Sequence, residues 1–346
     1  MPLRRARSLS VESLESRHLM AGNVSASVSG SLLTITGDEA GNGVSLTYNA
    51  TTKAYRVTGV DAAGSPTSLN GPNPAGASNF ADFPNVSQVT VKLNGGNDQF
   101  SVGSAEAVDT VISKFLQIDM GDGDDQVELG RAGGLANTAD PLPRSLRLGT
   151  SLHVTLGAGN DTLQMASVTI GVNLQLFAGD GDDNVNFATT FTPAGATEHL
   201  LSPVRVRGAA LLNMGTGADD LSVKHSFFFG NLLVPDTVGA ANMEFVNLSI
   251  AKKFDIDTSS VADIVKLDYV HAKQLTLDTN SGVDDVDLTN SRFTTINLKL
   301  GAGRDELLMR AVTTTLYCYL DGGSQGSSLT RGPNNNLRGQ WRRNMG

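Results

Sequence analysis

Between Asp161 and Asp182 the chain reads DTLQMASVTIGVNLQLFAGDGD, with its apolar residues at every second place in three short runs. Leu163 and Met165 form the first run, Val168, Ile170 and Val172 the second, and Leu174, Leu176 and Ala178 the third. Period-two alternation marks strands with one buried face. The stretch therefore predicts three short strands separated by tight corners.

The pattern recurs, and its clearest punctuation is G-x-G-x-D. Five copies keep that motif in full and end at Asp125, Asp161, Asp183, Asp219 and Asp305; weaker copies end at Asp98, Asp263 and Asp284, and one has Ala241 in the aspartate slot. The steps between successive slots are 27, 36, 22, 36, 22, 22, 21 and 21 residues, so the base period is 21 to 22. Steps of 36 are that period plus an insertion, and the inserted text, GRAGGLANTADPLPRS and TTFTPAGATEHLLSP, has loop chemistry. A last, eroded copy begins at Leu316.

Three short strands per 22 residues, returning without hairpin turns, favour a solenoid over a β-sandwich. The expected fold is all-β: a right-handed parallel β-helix of about ten coils stacked about 4.8 Å apart. Four segments follow: a leader over 1–22, an irregular β cap over 23–86, the solenoid over 87–329 and a flexible basic tail over 330–346.

Composition supports the strands. Gly is abundant at 38 of 346 residues, while only 5% of residues are aromatic, which suits a narrow interior of small aliphatic side chains. The formal charge is −9. Residues 1–22 hold four Arg and two Glu and residues 331–346 four Arg and no acid, leaving 18 basic against 33 acidic residues between them, or −15. Such a body repels nucleic acid and anionic lipid and favours cations as small partners. A lone cysteine, Cys318, excludes an internal disulfide, and its apolar setting in LYCYL suits a buried small hydrophobe. No run approaches the length of an apolar membrane span, and the basic start at Arg4, Arg5 and Arg7 has no apolar signal core behind it.

Two chemistries compete at the corners. Glycines there permit positive φ, with Asn94 and Asn280 standing in where one is lost, and the aspartate can accept backbone N–H groups in an Asx-type turn; this needs no ligand. Stacked coils, however, would bring carboxylates close enough to repel by about 1 to 3 kcal/mol per pair. Calcium would relieve that repulsion, taking oxygens from adjacent coils. The candidate metal ligands are Asp125, Asp161, Asp183, Asp219 and Asp305 with Gly157, Gly159, Gly179 and Gly181, foremost between Asp161 and Asp183, where no insertion intervenes.

The motif resembles the haemolysin-type, or RTX, calcium-binding nonapeptide G-G-x-G-x-D-x-U-x, with U a large apolar residue. MGDGDDQVE matches at Gly121, Gly123, Asp125 and Val127. Its first glycine is replaced in every copy, by Met120, Leu156, Ala178, Met214 and Leu300, and each coil carries one motif where the family packs two. The N-terminus is similar to the L-E-P-R-x-L-L segment of planctomycete-type secreted proteins, matching at Leu14, Glu15, Arg17 and Leu19 with Ser16 in place of the proline. That resemblance implies an extracellular or cell-surface location.

The five histidines are scattered and suggest no metal site. An enzymatic alternative rests on Asp255, Asp257, Asp278 and Lys299, whose register would stack them on one outer face, as polysaccharide lyases or hydrolases of the β-helix class require. The leading expectation is a non-enzymatic, exported solenoid, structural or adhesin-like, with calcium and extracellular polysaccharide or other cell-surface components as partners.

Overall fold

A computed structural model describes residues 22–62, 66–71, 79–103, 109–130, 145–187, 203–235, 238–325 and 327–344. The leader and most of the two inserted segments lie outside these. Among the described residues there is no helix; the chain is all-β, and its strands form one long sheet that wraps round an axis in a solenoid-like repeat. Among these residues no helix is long and apolar enough to cross a membrane.

Three columns of strands run along the axis. The first passes through Gln88–Lys92, Leu116–Asp122, Leu152–Ala158, Leu174–Asp180 and Ala210–Thr216, each parallel to the next. The second holds Gln99–Val102, Gln126–Leu129, Thr162–Met165, Asn184–Phe187 and Asp219–Lys224. The third holds Thr110–Ile112, Leu146–Leu148, Val168–Ile170, Arg205–Val206 and Phe227–Phe228. Farther on, single long strands, Ala241–Asp257 and Ile264–Asp278, pass through all three columns. The corner between their second and third columns is made by Asn247 and Tyr269 at positive φ, as it is by Ser167, His225, Asn290 and Ala311 in other turns.

Register follows burial. Ile118, Val154, Leu176 and Leu212 align as one inward ladder, all fully buried, and each such side chain contributes about 1.5 to 3 kcal/mol by leaving water. The interior also takes six fully buried phenylalanines, Phe100, Phe187, Phe228, Phe245, Phe254 and Phe293, more aromatic volume than a narrow aliphatic core predicts. Phe245 and Phe254 meet edge to face at 4.9 Å. Val172, expected inside, is 42% exposed, because the alternation that buries Ile170 breaks at the corner before Leu174.

The two insertions do not separate coils. Gln126–Leu129 pairs directly with Thr162–Met165, and Asn184–Phe187 with Asp219–Lys224. Both insertions leave the solenoid between the second and third columns, so the stacking continues past them.

The ends are closed differently. At the N-terminal end Leu32–Thr36 and Gly43–Asn49 run parallel to Gln88–Lys92 and Gln99–Val102, and antiparallel partners Gly22–Ser29, Ala54–Val60 and Phe80–Pro84 fold over them. This covers the backbone edge that a bare end would expose. At the other end, the segment expected as a flexible tail forms strands Asn336–Leu337 and Gln340–Arg343, both parallel to Thr313–Asp321.

Candidate cation-binding ladder

The aspartate slots fall at the corner between the first and second columns, and the carboxylates turn inward. Asp98, Asp125, Asp161, Asp183, Asp219, Asp263, Asp284 and Asp305 are each 1 to 2% exposed. Their hydrogen bonds reach across coils instead of closing a local Asx turn. The N–H of Asp98 donates to Asp125 Oδ1 at 2.8 Å, that of Asp125 to Asp161 at 2.8 Å, that of Asp161 to Asp183 at 2.9 Å and that of Asp183 to Asp219 at 3.0 Å. The same pattern links Ala241 to Asp263, Asp263 to Asp284 and Asp284 to Asp305. Each carboxylate thus occupies the place of a backbone carbonyl, satisfying a buried donor that the corner would otherwise orphan.

Three coils show what happens without an aspartate. Asn42 begins the ladder and donates its N–H to Asp98. Ala241 offers no acceptor, and Asp219 N–H turns to the carbonyl of Ala240 at 3.0 Å. Ser327 ends it, its hydroxyl donating to Asp305 Oδ2 at 2.8 Å.

The second carboxylate oxygen is the unusual feature. Oδ2 of Asp98, Asp125, Asp161, Asp183, Asp219, Asp263 and Asp284 is buried with no hydrogen-bond partner among the described residues. Burial pushes the carboxyl of Asp125 up to about 8, reinforced by Asp161, Asp98 and Asp124 and opposed by the N–H it accepts. It raises Asp98 and Asp183 to about 7 and Asp161, Asp219 and Asp284 to about 6. Burial therefore favours the protonated form of these carboxyls in the folded state.

Glycine has a packing reason to precede the aspartate. Gly157 and Gly179 hold φ near 124° and 122°, and a Cβ on Gly179 would collide with the carbonyl oxygen of Gly157 in the coil before. Gly159 and Gly181 repeat the relation one step along. Their carbonyls thus face the next coil's backbone.

A parallel outer ladder runs one residue before the slots. Asn160 N–H donates to Asp124 Oδ1 at 2.9 Å, Asp182 N–H to Asn160 Oδ1 at 2.8 Å and Ala218 N–H to Asp182 Oδ1 at 2.8 Å. The pairing of Asn or Asp at every copy from Asn97 to Asp182 was the signal available in the sequence.

Among the described residues, no three His, Cys, Asp or Glu side chains converge as a metal centre. The fit to calcium therefore rests on the orphaned Oδ2 atoms, which come singly from each coil, against the six to eight oxygens calcium takes.

The outer carboxylates stack as their register requires: Asp257 aligns with Asp278, and Asp278 with Lys299. Each acid is engaged. Lys253 Nζ meets Asp255 at 2.5 Å, Asn280 donates to Asp257 at 2.8 Å and Lys299 Nζ donates to Asp278 at 3.0 Å. That hydrogen bond, with the charge of Asp278, raises the Lys299 ammonium above its ordinary value.

No protein-family model, curated protein or solved structure matches this chain.

Proposed function

We propose that this chain is an exported, non-enzymatic rod with a structural or adhesive role at a cell surface, built as a right-handed parallel β-helix of about ten coils. The observation that carries the reading is the unbroken parallel pairing from Leu32 to Arg343. Stacked at about 4.8 Å per coil, that pairing corresponds to a body about 50 Å long. The likeness of the first residues to a secreted-protein leader supports export, and the likeness of the turns to RTX motifs supports a cation on the ladder.

On this reading Asp161 and Asp183 would hold calcium through Oδ2, with Asp125 and Asp219 repeating the arrangement and Asp305 set apart by the Ser327 hydroxyl on its Oδ2, and the ion would neutralise charge that the folded core disfavours. Thermal melting at pH 8 in millimolar calcium and in chelator tests this directly. A raised midpoint with calcium is expected, since a ligand of the native state must stabilise it; an unchanged midpoint leaves the ladder to protons. Small-angle scattering giving a globular profile would sink the rod.

The enzymatic alternative keeps Asp255, Asp257, Asp278 and Lys299. Ion pairing of two of these acids suits a solvated surface better than general acid–base work, which needs a carboxyl poised near the operating pH.

A further inference from the structure

The third column's outer face differs in charge from the rest of the molecule. In its strands and their flanks, 109–113, 145–149, 167–171, 203–207, 225–229, 247–252, 269–273, 290–294 and 311–315, there are six Lys or Arg, two His and a single acid, Asp109. The outward places of the second column instead hold seven acids against four bases. A cationic strip thus stands on a chain whose net charge is −9.

Register makes the strip continuous. Val111, Arg147, Thr169, Arg205, Phe227, Ser249, His271, Arg292 and Thr313 align one per coil. Beside this line, Arg207, Phe229, Lys252 and Lys273 are exposed, and so is Tyr269 at its corner. Arg147 pairs with Asp109 at 3.0 Å and Arg205 lies 5.3 Å from the Phe227 ring, while Arg205, Arg207 and Arg292 have no acidic partner among the described residues. Two shallow clefts, of about 430 and 420 Å³, lie on this face, one around Arg147, Arg205 and Phe227, the other around His271 and Arg292.

We infer that this face binds an extended acidic polysaccharide lying along the rod, an inference that rests on the adhesive reading and names its partner class. Arg147 and Arg205 stand two coils apart, about 10 Å, and Arg205 and Arg292 four coils, about 19 Å. That spacing presents one fixed cation every few coils, with uncharged polar groups between, to a chain that carries hydroxyls as well as carboxylates. Between the cations lie hydroxyl and amide groups, from Thr169, Asn247 and Ser249, with Thr313 one coil beyond Arg292, which suit a polyol; Phe229 and Tyr269 offer ring faces to sugar C–H groups. A nucleic acid offers few hydroxyl groups to the polar side chains between the cations, so it is the less favoured polyanion.

Binding of the full chain to polygalacturonate, to a neutral glucan and to single-stranded DNA, each at low and high salt, tests the inference, with R205E and R292E together as the variant. Expected are polyuronate binding that weakens with salt, little glucan binding, and at least about tenfold loss in the double variant with its melting point unchanged. Equal binding by the variant, or DNA bound more tightly than polyuronate, overturns the assignment. Absent binding by a protein that scatters as a rod removes the strip and leaves the structural reading standing. Release of new reducing ends from bound polyuronate removes the non-enzymatic reading and leaves the strip.

Discussion

The buried ladder predicts an inverted dependence of stability on pH. A carboxylate held by partners in the folded state ordinarily makes a protein more stable as pH rises. Here the folded values lie above the ordinary one, so between them the folded state binds more protons than the unfolded state. The stability is fully present below about 4 and is lost as pH climbs through the folded values. For Asp161, the gap between 3.8 and about 6 is worth on the order of 3 kcal/mol at pH 8, at about 1.4 kcal/mol per pH unit, and on the order of 0.5 kcal/mol at pH 4. Asp161→Asn keeps an Oδ1 acceptor for the Asp125 N–H and removes the ionisation. The variant is expected to be nearly as stable as the parent at pH 4 and more stable by on the order of 3 kcal/mol at pH 8, read as denaturant midpoints in chelator. Surface acids contribute to both proteins alike, so the difference isolates the ladder. A variant whose advantage does not grow with pH, or a parent that gains stability between pH 5 and pH 8, would refute the reasoning.

Two further outcomes follow from packing. Gly179→Ala forces a Cβ into the Gly157 carbonyl at a positive φ, so it should cost at least about 2 kcal/mol, with circular dichroism melting as the readout. The thiol of Cys318 is fully buried and pushed up by that burial to about 11, so a disulfide reagent should label it only at the rate of unfolding; fast labelling of native protein would contradict its placement.

Much of the architecture was legible because a solenoid writes its period into the chain. The slots fixed the 22-residue step, and the alternation around Leu163, Leu174 and Leu176 predicted which residues face in. What sequence could not show was direction at corners. An aspartate after G-x-G reads equally as a surface ligand or as a buried cap, since both need a tight turn, and only the stacked backbone reveals that Asp125 N–H has no carbonyl to meet. Val172 was misplaced for a similar reason: period two holds within a strand and says nothing about the residue that turns between strands. The strands at 336–343 were not legible because RGPNNNLRGQWRR has little apolar content, while strand pairing to Thr313–Asp321 supplies backbone bonds that composition does not record. The cationic strip was present in the sequence but scattered over nine segments, and it becomes a face only once the register aligns them.

Asparagine would satisfy the ladder's donors as well as aspartate does, for the amide oxygen can accept the same N–H, and the outer ladder uses Asn160 in that way between Asp124 and Asp182. The inner ladder nevertheless places aspartate in eight coils, and in seven of them a second oxygen is left that the interior does not serve. Where the carboxylate is absent, at Ala241, the backbone finds its own acceptor, so the turn itself does not demand the charge. Ionisable residues kept where a neutral one suffices make the rod's stability depend on what neutralises them. In acid that is a proton; on the proposed reading, near neutrality, it is a cation drawn from outside. A series of Asp→Asn changes along the ladder separates the two, because each should raise stability in chelator while reducing the gain on adding calcium. Gains from calcium that survive full replacement would place the ion elsewhere, on the outer ladder of Asp124 and Asp182.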